Sequence, residues 1–396
     1  MNVIDRRLFT LGGILCWSST VLGQRLEVTK SGKKQIYISL DGLKIDGSSQ
    51  SIEFLDVLRS DLINSGIFRE SSSASILIKG NIKKREGLSA EIQAVQVYEK
   101  NVILNRLFSG KLNVVRALAH RVSDSLVFSI TGQPGMASAR LAIVGNKSGH
   151  KELYICDYDG FNLIQVTNDK SIVVAPAWMP NGKNILYTSY KNGYPNIFLS
   201  GQKKAISKFG GLNTGGVVSP DGKKLALILS KDGNPELYIQ DIASGFMKRI
   251  SSTRRANEAS PCWSPDSLEL AYVSDASGRP HVYVLNLKSG VSRRISRYGS
   301  ENVAPDWSFN GKLAYCSKQT GRYRIVVVDI KTGDSKLLPM NNADYEDPSW
   351  MPDGRHLVVS RTVNYRSSIY LLDTHEDRSI SLKIGGGDWF SPACSN

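Results

Sequence analysis

Histidine is sparse in this chain of 396 residues. The five, at 120, 150, 281, 356 and 375, share no common position, and neither His-Glu-x-x-His nor a His-pair spacing occurs. A histidine-built metalloenzyme centre is therefore not expected, and each of the five reads as a packing or surface residue. Cysteine is equally thin. Cys16 falls in the N-terminal apolar run, and Cys156, Cys262, Cys316 and Cys394 lack metal-ligand spacing, so buried free thiols are expected instead of a disulfide framework. No Gly-x-Ser-x-Gly is present, and with a strand at the end of the sequence a serine hydrolase domain is not expected. The formal charge is +14, yet no basic stretch interleaved with aromatics occurs, so the charge reads as a solvated surface and not as a nucleic-acid site. The marked apolar run, residues 8–22, is short for a bilayer span. It follows Arg6-Arg7 and ends at Val21-Leu22-Gly23, the pattern of an export signal over 1–23 taking either the Sec or the twin-arginine route, with a retained anchor as the plain alternative.

What the chain has instead is turn chemistry in register. Trp178-Met179-Pro180-Asn181-Gly182, Val218-Ser219-Pro220-Asp221-Gly222, Trp263-Ser264-Pro265-Asp266, Trp307-Ser308-Phe309-Asn310-Gly311, Trp350-Met351-Pro352-Asp353-Gly354 and Phe390-Ser391-Pro392 open successive units. Their third positions are 40, 45, 44, 43 and 40 residues apart. That is the period of a propeller blade, four short antiparallel strands whose faces are buried only against neighbouring blades. Six blades result over 139–396. The first has strands at 139–145, 151–156 and 161–166 but no opening strand, while Asp388-Trp389-Phe390-Ser391-Pro392 is an opening strand with nothing after it. The C-terminal strand is expected to close the ring in the first blade, removing both free edges. The Asp of each Pro-Asp-Gly turn and the tryptophans at 178, 263, 307 and 350 read as hairpin and blade-packing residues.

Residues 24–132 follow a different pattern. A strand is expected at 35–40, a helix carrying Ile52, Leu55, Leu58 and Leu62 on one face, strands near 75–80, 90–98 and 102–108, and a second helix over 112–130 burying Val115, Leu118, Val122 and Leu126. This is an α+β domain, joined to the propeller by the hinge Thr131-Gly132-Gln133-Pro134-Gly135.

Loops 172–176, 212–216, 257–260, 301–304, 344–347 and 385–388 lead into the inner strands and should converge on one mouth of the central channel. Asn213, Thr214, Asn257, Glu258, Ser260, Asn302, Asp344 and Glu346 are the polar candidates there for a docking surface, with solvated turns as the plain alternative.

Several stretches together resemble the TolB family of periplasmic propellers in the Tol-Pal envelope system. They are the helix region 56–68 ending Asn64-Ser65-Gly66-Ile67-Phe68, Ala119-His120-Arg121-Val122-Ser123-Asp124 before the hinge, Leu153-Tyr154-Ile155-Cys156-Asp157-Tyr158-Asp159-Gly160, and Ser277-Gly278-Arg279-Pro280-His281. The resemblance implies a non-enzymatic, cofactor-free, monomeric adaptor, peripheral to membranes and supporting outer-membrane integrity and constriction during cell division. Its partners would be a Pal-like outer-membrane lipoprotein at the propeller mouth and a TolA-like inner-membrane protein on the mature N-terminal segment, here Arg25, Leu26, Glu27, Val28 and Thr29. A metal-dependent sugar lyase and a cell-wall glycan binder are the alternatives. The chain departs from the family pattern at Met136-Ala137-Ser138, at Gly215-Gly216 and Val218, and at Ala259-Ser260-Pro261.

Overall fold

The structure, a computed structural model, describes residues 35–339, 341–376 and 378–395. The export signal expected over 1–23 and the segment Arg25, Leu26, Glu27, Val28 and Thr29 lie outside the described residues.

The N-terminal part is a five-stranded mixed sheet. Strands β1 (Ile36–Ile45), β2 (Phe68–Glu70), β3 (Ile76–Lys84), β4 (Leu88–Gln96) and β5 (Val102–Gly110) lie in the order β2-β1-β3-β4-β5, with β1 parallel to both its neighbours. Helices α1 (Ser49–Asn64) and α2 (Val115–Thr131) pack on it. Leu88, Ala90, Ile92 and Ala94 alternate inward on β4 and meet Phe54, Leu58 and Leu62 of α1 and Leu118, Val122 and Leu126 of α2 in one core.

The inward stripe of α1 differs from the expected one. Ile52 is 45% exposed and Leu55 half-buried, while Ser51, Phe54, Val57, Leu58, Asp61 and Leu62 face inward. The Ser51 hydroxyl donates to Asp46 at 2.6 Å, and Asp61 accepts from Tyr158 at 2.7 Å. Because these polar groups are partnered they can be buried, and the helix is rotated away from the face a hydrophobicity pattern selects.

The remaining chain forms six four-stranded antiparallel blades. The ring closes as the sequence predicts. Trp389–Cys394 pairs antiparallel with Arg140–Gly145, matching Phe390 to Val144 and Cys394 to Leu141. Trp389 is 2% exposed and sits edge-on to Tyr154 with ring centroids 5.1 Å apart. A β-carbon at Gly145 would stand 2.2 Å from its ring, so glycine is required at that crossing. The outer strand of this blade is shorter than expected, Ile164–Gln165, because Asp157, by accepting from the Asn162 side chain, and Asp159, from the Phe161 amide, hold the preceding residues in a turn.

The tryptophans join blades as expected. Trp178, Trp263 and Trp350 donate their indole N–H to the carbonyls of Ala393, Val217 and Asp306 in the blade before, at 3.0–3.1 Å. The turn aspartates accept backbone amides, as Asp221 does from Lys223 and Asp353 from Arg355 and His356. Cys156, Cys262, Cys316 and Cys394 are free.

The α+β part sits on the propeller face made by the turns that leave the inner and third strands. Tyr158 Oη donates to Asp61, Arg378 donates to the Ile63 carbonyl at 3.1 Å, and Arg355 reaches the Gly66 carbonyl at 3.1 Å while holding Asp373. At the hinge, Asp124 accepts the amides of Ala137 and Ser138 at 2.8 and 2.9 Å. The opposite face of the propeller, where the inner strands begin, is left clear of these contacts.

Candidate functional site

Each inner strand carries one irregularity at the same place. Pairing with the second strand slips between Val174 and Ala177, Thr214 and Val217, Ala259 and Cys262, Val303 and Asp306, Glu346 and Ser349, and Phe390 and Ala393. These are β-bulges, one per blade. At their centres Ala175, Gly215, Ser260, Ala304, Asp347 and Ser391 take φ between 44° and 64°, the left-handed region. In all but the Gly215 blade the next residue is proline, which withholds an N–H where the ladder is interrupted. The six bulges line a central cavity of about 700 Å³ together with Trp178, Trp263, Trp307 and Trp350.

Two carboxylates enter that cavity. Asp306 accepts the Trp350 amide at 2.6 Å, and burial outweighs this and pushes its carboxyl up to about 6. Asp347 accepts from the Ser391 hydroxyl at 2.8 Å in the next blade, and burial raises it likewise. Burial, with Asp347 and Asp344 nearby, also raises Glu346. Around the rim, ion pairs join loops of this face: Lys191 with Asp169 at 3.2 Å, Lys318 with Glu301 at 3.1 Å, Arg322 with Asp344 at 3.2 Å and Arg366 with Asp388 at 3.1 Å. Their exposure limits each to a fraction of a kcal/mol, about 0–1; their effect is to order the rim.

The candidate residues divide into two groups. Asn257 and Ser260 are exposed, and Thr214, Asp344 and Glu346 partly so, around the mouth. Asn213, Glu258 and Asn302 are buried, which corrects their place in the candidate surface. Asn213 donates to the carbonyls of Phe209, Gly211 and Pro195 and accepts from Ser207 and the Phe209 amide, closing the loop that enters its blade. Asn302 bonds His281 at 3.0 Å. Glu258 accepts from Ser274 at 2.9 Å and Ser251 at 3.2 Å and faces Glu236. A polar residue opens four of the six inner strands, Asn213, Glu258, Asn302 and Asp344, and in sequence such a residue reads as a loop clamp as readily as a docking group. Apart from Ser260, the bulge ring and Asp306 are absent from the sequence candidates, although a proline two residues ahead of the strand-ending aromatic or small residue in five inner strands is the available signal.

A family model described as the TolB beta propeller domain matches residues 128–396. The chain belongs to the TolB β-propeller family. A Tol-Pal system protein TolB of Syntrophotalea carbinolica is 32% identical over 213 residues, covering 46% of this chain and 50% of that one. A protein TolB homolog of Chlorobaculum tepidum is 30% identical over 248 residues, covering 55% and 56%. The chain spans about half the length of the curated relatives it matches. The crystal structure of TolB from Acinetobacter baumannii superposes with a TM-score of 0.81 at 26% identity, covering 91% of this chain and 97% of that one. The match to TolB thus extends through the α+β part as well as the blades. Among the described residues no helix is long and apolar enough to cross a membrane.

Proposed function

We propose that this chain is a non-catalytic periplasmic adaptor of a Tol-Pal-type envelope complex. It would comprise a cleaved leader over 1–23, an α+β domain over 24–132 and the propeller over 139–396. It works as a monomer, peripheral to membranes and without a cofactor, in outer-membrane integrity and division. The propeller mouth docks a Pal-like outer-membrane lipoprotein through Thr214, Asn257, Ser260, Asp344 and Glu346. The segment Arg25, Leu26, Glu27, Val28 and Thr29 engages a TolA-like inner-membrane protein. Occupation of the mouth and release of that segment would be linked as two states of one protein.

The observation carrying this reading is the mouth itself. A ring of bulges in a TolB-family propeller presents polar side chains and backbone around one rigid opening, the form suited to a protruding partner. The test is affinity capture from detergent-solubilised envelope of the native cell, using the full chain. A lipoprotein with an OmpA-like domain is expected, and its loss in Asn257→Arg with Ser260→Arg. Capture that is unchanged in that variant removes the mouth from the site, and no such lipoprotein in the wild-type capture removes the adaptor reading.

A further inference from the structure

His120 is 3% exposed, on α2 where the α+β part meets the first blade. Its Nδ1 lies 2.8 Å from Asp61 Oδ2, and Asp61 is itself held by the Tyr158 hydroxyl. Its Nε2 is also buried and has no hydrogen-bond partner among the described residues. That atom faces two carboxylates of the turn after the third strand of the first blade, Asp157 with its Oδ2 at 3.9 Å, and Asp159. One ligand atom from each of His120, Asp157 and Asp159 lies within 4.8 Å of the others.

A neutral ring that gives its Nδ1–H to Asp61 turns a lone pair toward two anions. A protonated ring would aim N–H at Asp157 across 3.9 Å, too far for a hydrogen bond. A cation between the three groups resolves both cases. Metal–nitrogen and metal–oxygen bonds of about 2.0–2.2 Å bring such ligands to roughly 3.4 Å apart in a tetrahedral site, so Asp157 must close by about half an ångström and Asp159 by at most about 1.4 Å. The Asp61–His120 contact has the form of the carboxylate that orients a metal-binding imidazole from behind. Arg116 already holds one oxygen of Asp159 and lies over the Phe161 ring at 3.9 Å. An ionised carboxylate has lone pairs for both cations.

We propose that His120 Nε2, Asp157 and Asp159 form a site for a divalent transition cation of the zinc type, which clamps α2 to the first blade. One nitrogen with two carboxylates suits zinc better than calcium or magnesium, which prefer an all-oxygen shell. The site lies on the face remote from the channel mouth and is independent of the adaptor reading.

The test uses the full chain without a polyhistidine tag, stripped with chelator and titrated with Zn²⁺ alone by calorimetry. One equivalent is expected to bind in the micromolar range or tighter and to raise the melting temperature reversibly. Asp157→Asn, whose side chain lies outside the core, should weaken binding about tenfold or more, as should His120→Gln. Substitution with Co²⁺ should give a nitrogen and oxygen ligand spectrum without thiolate charge transfer. Absence of stoichiometric uptake, uptake undiminished in a folded Asp157→Asn protein, or a thiolate spectrum would each overturn the site.

Discussion

Glu236, opening the third strand of the third blade, and Glu258, opening the inner strand of the fourth, are both buried and face one another. Glu236 is held below the usual carboxylate range, because hydrogen bonds from Ser251, Arg249 and the Thr253 amide outweigh its burial. Burial and the neighbouring Glu236 push Glu258 up to about 7. The fold therefore prefers Glu258 protonated, donating toward an ionised Glu236. A carboxyl raised above its unfolded value favours the fold fully below that value, about 4.5, and loses the contribution as pH climbs through about 7. A rise of about 2.5 units at 1.36 kcal/mol each sets a ceiling of about 3 kcal/mol. Sharing of the proton between the pair and partial solvent access bring the expected figure to about 1–3 kcal/mol. Glu258→Gln keeps the shape and the donor while removing the titration. It should match the wild type near pH 4 and exceed it by about 1–3 kcal/mol near pH 8 in urea unfolding at constant m-value. A variant less stable than wild type near pH 8, or one falling as steeply with pH, would refute the pairing.

Trp389→Ala removes the largest fully buried side chain on the closing strand and should cost about 3–5 kcal/mol, read from the urea midpoint; a loss below about 1 would mean the ring does not depend on it. Asn213→Ala strands the carbonyls and amide it serves and should cost about 1–3 kcal/mol of stability, whereas a residue spent only on partner contact would leave the midpoint unmoved. Gly66→Ala adds a β-carbon 2.5 Å from Arg355 Nη2 and Asp373 Oδ2 at φ +66°, so a lowered melting temperature is expected by calorimetry, and no change would mean that this junction is loose.

The blade count, the closure by Trp389–Cys394 and the two helices were legible because each rests on a period the chain repeats: about 42 residues for blades, two for strands, 3.6 for α2. The rotation of α1 was not, since Ser51 is buried through Asp46, which lies outside the helix, and Asp61 through Tyr158, 97 residues away in the first blade. Asn213, Glu258 and Asn302 were misplaced for the same reason: a polar side chain at a loop end reaches inward or outward according to which backbone groups its own loop leaves unpaired. The His120 cluster was hidden by distance, with Asp61, His120 and Asp157 lying on three elements and sharing no spacing that a motif could record.

The bulge ring is costly, and the cost bears on what the mouth does. A non-glycine residue in the left-handed region loses about 1–3 kcal/mol, and Ala175, Ser260, Ala304, Asp347 and Ser391 all bear it. Blade packing alone does not require this, since the third blade makes the same bend with Gly215 and Gly216 and avoids the strain. What the bulge achieves in every blade is to turn one residue out of the pleat at the cavity wall, which these residues share with Trp178, Trp263, Trp307 and Trp350. In the adaptor reading proposed above, a wall fixed before a partner arrives has little conformational freedom left to lose on docking, and such strain would return as affinity. The position where the chain departs furthest from a strained bulge, Gly215-Gly216, is then the point at which the rim can adapt, next to Thr214, which bonds Thr188 across the blade boundary at 3.1 Å.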